Sequence, residues 1–334
     1  MKSVLVALVL AVASVASAAE TMELKLMANA PPGGPGDKLW RMFEDNVRAK
    51  VGDRIKIVQM VHGEVGGDDI VFQAIRKNRG QMGIAGENGY AQTIPEASVI
   101  NLPFLFSSVE ECDFVYDNFW TPEAKKIALS RDIVLLQWVE IGWMQVYGKK
   151  PVLTPADAKN YRMRALPYEA SQAFLKTIGA DTIVLPTPDV IPSLQTGMIA
   201  GGESSLLMYL RSGFSEYAGH LTLTNHSYGT SGLFANKRWF DGLSPADREV
   251  VSTTFPDQTF VRTDTRESLL QEIEAGKKRG IIVHELTPEQ RRAWEQAAAP
   301  MHRAVIERLG PNAARIYDLV QDGKKAYAAR VVQK

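Results

Sequence analysis

Short apolar runs alternate along this chain with longer amphipathic stretches, and no other feature limits its fold so sharply. Strand side chains repeat every second residue and helical ones about every 3.6, so the alternation argues an α/β fold. Residues 22–30 alternate apolar and polar side chains (Leu24, Leu26, Ala28) and read as a first strand. Asn29-Ala30-Pro31-Pro32-Gly33-Gly34 breaks it with loop chemistry. Over 37–51, Leu39, Trp40, Phe43 and Val47 recur at helical spacing behind Asp37, a suitable N-cap. A strand over 54–61, a helix opened by Gly66-Gly67-Asp68-Asp69 and a strand over 81–85 follow. After the apolar loop 101–106 and a further helix, residues 133–147 form a long strand that ends at Gly148-Lys149-Lys150-Pro151. A second set then begins: strand 161–166, helix 169–178, strand 182–185, helix 190–196 and strand 198–201. Residues 220–237 are a long extended connection, and 244–280 are helical with an interruption at Pro256. Residues 281–284 make a short strand, and everything from Thr287 onward is helical. No repeat or low-complexity linker separates the two sets, so two α/β units joined by several crossings are expected.

The chain begins with Lys2, an uncharged Leu/Val/Ala-rich run over 4–15 and Ala16-Ser17-Ala18. That is the layout of a secretory signal peptide over residues 1–18, with an apolar run shorter than the roughly 20 residues that span a bilayer. Export to the periplasm is the expectation. Cys112 is the only cysteine, so an internal disulfide is excluded and the core must supply stability; 334 residues suffice for two domains. Lys and Arg number 38, Asp and Glu 38, and no block of like charge occurs, which speaks against nucleic acid or an anionic membrane surface as partner.

Catalytic signatures are missing. His62, His220, His226, His284 and His302 are scattered without metal-ligand spacing, so neither metal nor cofactor is expected. No GxSxG elbow occurs, Cys112 has no base nearby in sequence, and Gly33-Gly34-Pro35-Gly36-Asp37-Lys38 lacks the spacing of a phosphate loop. Ligands of open α/β sheets bind beyond the carboxyl ends of strands. Asn29, Glu87 and Ser204 each follow an expected strand end, and Arg164 lies in a strand.

Around Arg164 the residues become distinctive: Arg162-Met163-Arg164-Ala165-Leu166-Pro167, then Gly179-Ala180, then Leu194-Gln195-Thr196-Gly197-Met198-Ile199-Ala200-Gly201-Gly202-Glu203. This ordered series resembles the substrate-binding proteins of TRAP transporters, the DctP-type family, where it runs approximately K-I-R-V-P, G-A and L-Q-T-G-x-x-D-G-x-E-N. Gly63-Glu64-Val65-Gly66, Asn101-Leu102-Pro103-Phe104-Leu105-Phe106, Thr224-Asn225-His226-Ser227 and Trp239-Phe240-Asp241-Gly242-Leu243 extend the resemblance over essentially the whole mature chain.

The resemblance implies a two-lobed periplasmic-binding-protein-like fold with mixed sheets, crossing strands and a long helix spanning both lobes. Residues 19–147 with 234–272 would form lobe I, and 148–233 with 273–334 lobe II. It implies a non-enzymatic role: a monomer that captures a small organic acid in the cleft and hands it to TRAP transporter membrane subunits. Presentation of the same ligand to a membrane receptor is the alternative. Arg164 matches the arginine that grips the substrate carboxylate, with the two parallel donors such a group needs. Asn29 and Glu87 match polar first-lobe positions, and Tyr90 lies nearby. The chain departs from the family at Gly142-Trp143-Met144, where many members carry an arginine. It departs again at Ser204-Ser205, where asparagine is usual, and at Thr187, an aromatic-bearing position. Met144 in place of an arginine removes a charge and adds flexible apolar surface. The expected ligand is therefore a monocarboxylate with a hydroxylated, keto or apolar tail rather than a C4-dicarboxylate, with Trp143 or Tyr168 stacking on it.

Overall fold

A computed structural model describes residues 21–332; the expected signal peptide lies outside them. Nine strands alternate with helices: β1 (Met22–Met27), β2 (Ile55–Met60), β3 (Met82–Gly86), β4 (Ile133–Gly148), β5 (Arg162–Ala165), β6 (Asp181–Val184), β7 (Gly201–Ser205), β8 (His220–Asn236) and β9 (Ile282–Glu285). They form one hydrogen-bonded sheet in the order β2-β1-β3-β8-β4-β7-β5-β6, with β9 also on β8. Along that order, parallel pairs lie at both ends and antiparallel pairs in the middle, while β9 joins β8 in parallel. Sequence order explains this mixture: the outer strands are joined through helical crossovers, which demand parallel neighbours, whereas β4 and β8 run the length of the molecule in opposite directions.

These two long strands join the lobes. The first half of β4 lies beside the second half of β8, which pairs with β3 of lobe I over Ser231 to Ala235. The second half of β4 pairs with β7 of lobe II over Met144 to Gly148, and the start of β8 pairs with β9. The lobe divisions expected at 147/148 and 233/234 thus fall within β4 and β8. Between the halves the ladder slips at Glu140/Gly142 and again at Met144/Val146. Gly142 has φ +88°, open to glycine but strained for other residues, and a Cβ there would come within 2.7 Å of Leu269 Cδ1. On β8, Asn225 (φ +43°) is pinned by Gln145, whose Oε1 accepts from Asn225 N–H (2.9 Å) and whose Nε2 donates to Asn225 Oδ1 (2.6 Å).

The Gln258–Lys278 helix spans the lobes, lying along β4 and touching both the Pro35–Val51 and Leu206–Arg211 helices. Pro256 is not inside it. Pro245–Thr253 forms a separate helix, and the break ends where Asp257 caps the spanning helix by accepting from Phe260 N–H (2.9 Å). Asp37 is likewise not an N-cap. Pro35 starts that helix after Gly34, and Asp37, a turn inside, accepts instead from Gly33 N–H (2.8 Å). The strand expected at 198–201 starts at Gly201 and runs to Ser205, so Ser204 sits within a strand rather than beyond one. The Pro311–Val332 helix, placed with lobe II from sequence, packs on the Val109–Val115 helix and the 95–101 segment.

Apolar side chains bury on both faces of the sheet. On the lobe I face, Trp40 is fully buried and meets Phe43 and Phe255 edge-on at 6.1 and 5.5 Å. Truncation of such a side chain removes its burial and leaves a cavity. Trp40→Ala is therefore expected to cost about 3–5 kcal/mol, read as a lower denaturant midpoint with little change in slope.

Candidate functional site

A cavity of about 470 Å³ lies between the lobes where β4 and β8 cross. Lobe I contributes Asn29, Trp40, His62, Asp68, Ile84 and Asn88; β4 contributes Val139, Glu140, Ile141 and Met144. Lobe II closes it with Arg164, Leu166, Thr187, Ile191, Ser204, Ser205, Met208 and Arg211. Its walls are mostly apolar, with polar groups at the two ends, the usual build of a small-molecule site.

Arg164 is held by its strand and by backbone oxygens. β5 lies between β6 and β7, close to β7 because Gly202 has no Cβ; one there would stand 2.9 Å from Arg164 Cβ. Arg164 Nε donates to Leu185 O (2.9 Å) and NH1 to Glu203 O (3.1 Å), while NH2 lies 3.5 Å from Thr187 Oγ1. Only 1% of the residue is exposed, yet no carboxylate among the described residues comes within 4.0 Å of its guanidinium. Burial lowers its basicity, and the neighbouring Tyr147 and Glu203 oppose that shift. A desolvated cation with neutral partners only is costly, and an arriving carboxylate offsets that cost.

The other ionic groups on the walls are already engaged. Arg211 NH2 pairs with Glu272 (2.5 Å), Arg266 NH2 holds Glu140 (2.8 Å), and His62 Nε2 bonds Asp37 (2.9 Å). At the lobe I end, Asp68 takes hydrogen bonds from Asn29 Nδ2 (2.6 Å) and Gly86 N–H (3.1 Å). Burial pushes its carboxyl above the ordinary range, and those donors pull it back. That end offers acceptor oxygens to a ligand hydroxyl or other donor. Behind Arg164 the Glu203 side chain points into the protein, where it takes the Ser171 hydroxyl and His226 Nε2 (2.7 Å).

Of the residues expected from sequence, Asn29, Met144, Arg164, Thr187, Ser204 and Ser205 are brought together on the walls. Glu87, Tyr90, Trp143 and Tyr168 do not line the cavity. Trp143 and Met144 are consecutive in a strand and point to opposite faces, so Met144 takes the cavity and Trp143 packs edge-on against Tyr228 at 4.9 Å. Tyr90 is wedged between Phe72 and Phe234, and Tyr168 joins the same core. Glu87 turns inward between two neighbours, Gly86 and Asn88, that do face the cavity. Sequence reasoning missed His62, Asp68 and Arg211. Only Asp68, after paired glycines at a helix start, carried a local signal.

Comparison with known proteins settles the family. The sequence profile of DctP, bacterial extracellular solute-binding protein family 7, matches residues 28–309. The chain belongs to this family. The 2,3-diketo-L-gulonate-binding periplasmic protein YiaO of Escherichia coli K12 is 25% identical over 84% of this chain and 86% of its own length. The fold matches the sugar acid binding protein DctPAm of Advenella mimigardefordensis in complex with galactonate, with TM-score 0.85, 22% identity, and 91% and 99% of the two chains covered. It also matches a TRAP periplasmic solute-binding protein of Bordetella whose density was interpreted as pantoate, with TM-score 0.81, 22% identity, and 91% and 98% covered. DctP proteins bind solutes for TRAP transport rather than form an enzyme family, and these relatives are periplasmic. Among the described residues no helix is long and apolar enough to cross a membrane.

A second hollow of about 860 Å³ lies outside the cleft, lined by Phe104, Arg291, His302 and Tyr317. Its charged side chains satisfy one another, Arg291 with Glu295 and Arg303 with Glu307, both at 2.7 Å. Of these two hollows, only the cleft combines a mostly apolar body with a buried cation that no carboxylate among the described residues pairs.

Proposed function

We propose that this protein is a periplasmic, monomeric, non-catalytic receptor that captures a small monocarboxylate and delivers it to TRAP membrane subunits. Arg164 supports this reading: a buried guanidinium with neutral partners, on the wall of an interlobe cavity. The ligand carboxylate binds its NH1 and NH2 side, aided by Thr187, Ser204 and Ser205. The ligand body lies along Met144 and the neighbouring aliphatic side chains, and a tail hydroxyl or keto group meets the polar wall of Asn29, Asp68 and Asn88. A second carboxylate finds no unpaired arginine there, since Arg211 serves Glu272.

The test is thermal stabilisation by pantoate, galactonate, 2,3-diketogulonate and succinate. A ligand that binds only the folded chain adds about 2.7 kcal/mol at a hundred times its Kd. A shift of several degrees with a monocarboxylate, and a smaller one with succinate, is expected. Preference for succinate would overturn the single-carboxylate assignment; no shift with any of the four would overturn the capture role.

A further inference from the structure

Two ionic groups on the cavity wall have no ion-pair partner among the described residues. The wall's charged or titratable side chains are His62, Asp68, Glu140, Arg164 and Arg211. Glu140 is taken by Arg266, Arg211 by Glu272, and His62 bonds Asp37. Setting those pairs aside leaves one cation, Arg164 of lobe II, and one anion, Asp68 of lobe I. Asp68 has neutral donors only: Asn29 Nδ2 (2.6 Å), Gly86 N–H (3.1 Å) and the Asn88 amide. Asp69 beside it adds further negative potential. Asp68 opens the Asp68–Arg76 helix, whose N-terminal end favours an anion, and both of its oxygens accept, as those of an ionised carboxylate do.

Oxygen atoms converge at this end of the cavity. A Cβ placed on Gly86 would have Asn88 Oδ1 at 2.9 Å, Asp68 Oδ2 at 3.0 Å and Ser231 Oγ at 3.5 Å, and all four residues line the cavity. Three oxygens gathered over a glycine suit a group that carries several N–H donors around one positive charge, as an ammonium does. A keto oxygen would meet the carboxylate there, acceptor against acceptor. The rest of the wall is largely aliphatic, with Ile84, Val139, Met144 and Leu166, and suits methylene groups. We propose that the captured ligand is a zwitterion: a carboxylate on Arg164 and a protonated amine on Asp68, Asn88 and Ser231, joined by an apolar chain. This rests on the capture role above and narrows its ligand. Each ligand charge then neutralises one wall charge, so neither lobe keeps a desolvated ion unpaired. An acid without the amine satisfies Arg164 and leaves Asp68 as it was.

Titration calorimetry at pH 7 compares γ-aminobutyrate, δ-aminovalerate and ε-aminocaproate with pentanoate, hexanoate and heptanoate, which carry a methyl group in place of the ammonium. At the chain length that fits, the amino acid should bind roughly tenfold or more tightly than its methyl counterpart. Asp68→Asn keeps the shape of the side chain without its charge and should bring that ratio close to one. A merely structural Asp68 would weaken both members of a pair alike and leave the ratio as it was. Methyl acids that bind the native chain as well as the amines do, or a preference for amines that survives Asp68→Asn, overturns the zwitterion and leaves the capture role standing. Binding of the thermal-panel acids but of none of these six does the same. The native-chain comparison decides the matter even where the variant fails to fold. Absence of binding by all ten acids overturns both readings.

Discussion

Arg164→Ala is expected to abolish ligand-induced stabilisation while the protein still folds. Losing one partner of a desolvated charge pair costs about 2–5 kcal/mol, or roughly 30-fold to several thousand-fold in Kd. Stability without ligand should change little or rise, because the substitution removes a buried cation that no carboxylate neutralises. Arg164→Lys separates charge from geometry. It keeps the cation but loses the planar fork that reaches Leu185 O and Glu203 O together, so it should bind weakly rather than not at all. Calorimetric Kd values and ligand-free melting curves check both variants. An Arg164→Ala protein that bound its acid as tightly as the native chain would move the site elsewhere.

Glu203→Ala should produce the opposite split: a large loss of stability with a smaller loss of affinity. The carboxylate is 2% exposed and satisfies the Ser171 hydroxyl and His226 Nε2, which stacks on Phe174 at 4.6 Å. Its removal strands both partners in the core at about 3–5 kcal/mol. That corresponds to a fall in melting temperature of roughly 5–15 °C. The backbone oxygen that holds Arg164 remains, so the arginine keeps one of its fixings. Glu203→Gln, which can still accept from Ser171, should recover part of the loss. Unchanged melting for Glu203→Ala would show that the network adds nothing to the core.

Much of this architecture is legible in the chain because the periodicities are clean. β1 alternates, the Asp68–Arg76 helix announces itself with paired glycines and aspartates, and β4 is too long and apolar to be a loop. β7 was misplaced for a physical reason. The strand expected over 198–201 lies at Gly201–Ser205 because the missing side chains of Gly201 and Gly202 let β7 slot between β4 and β5, and that requirement is tertiary. The choice between Trp143 and Met144 turns on which face of β4 looks into the cleft, which depends on the bulge at Gly142. Arg164 stood out through its motif. Arg211 and His62 enter the cavity from elements remote in sequence, with nothing local to mark them.

The strand pair that threads both lobes also governs how this chain reaches its native state. β1 cannot join a complete sheet until β8 has been made, and β8 in turn receives β9 from farther along. Pairings over such separations demand extensive loop closure before they repay it, so assembly is slow compared with that of a domain built from neighbours. Until the last third of the chain is present, the strands that precede it lack the partner that joins them into one sheet.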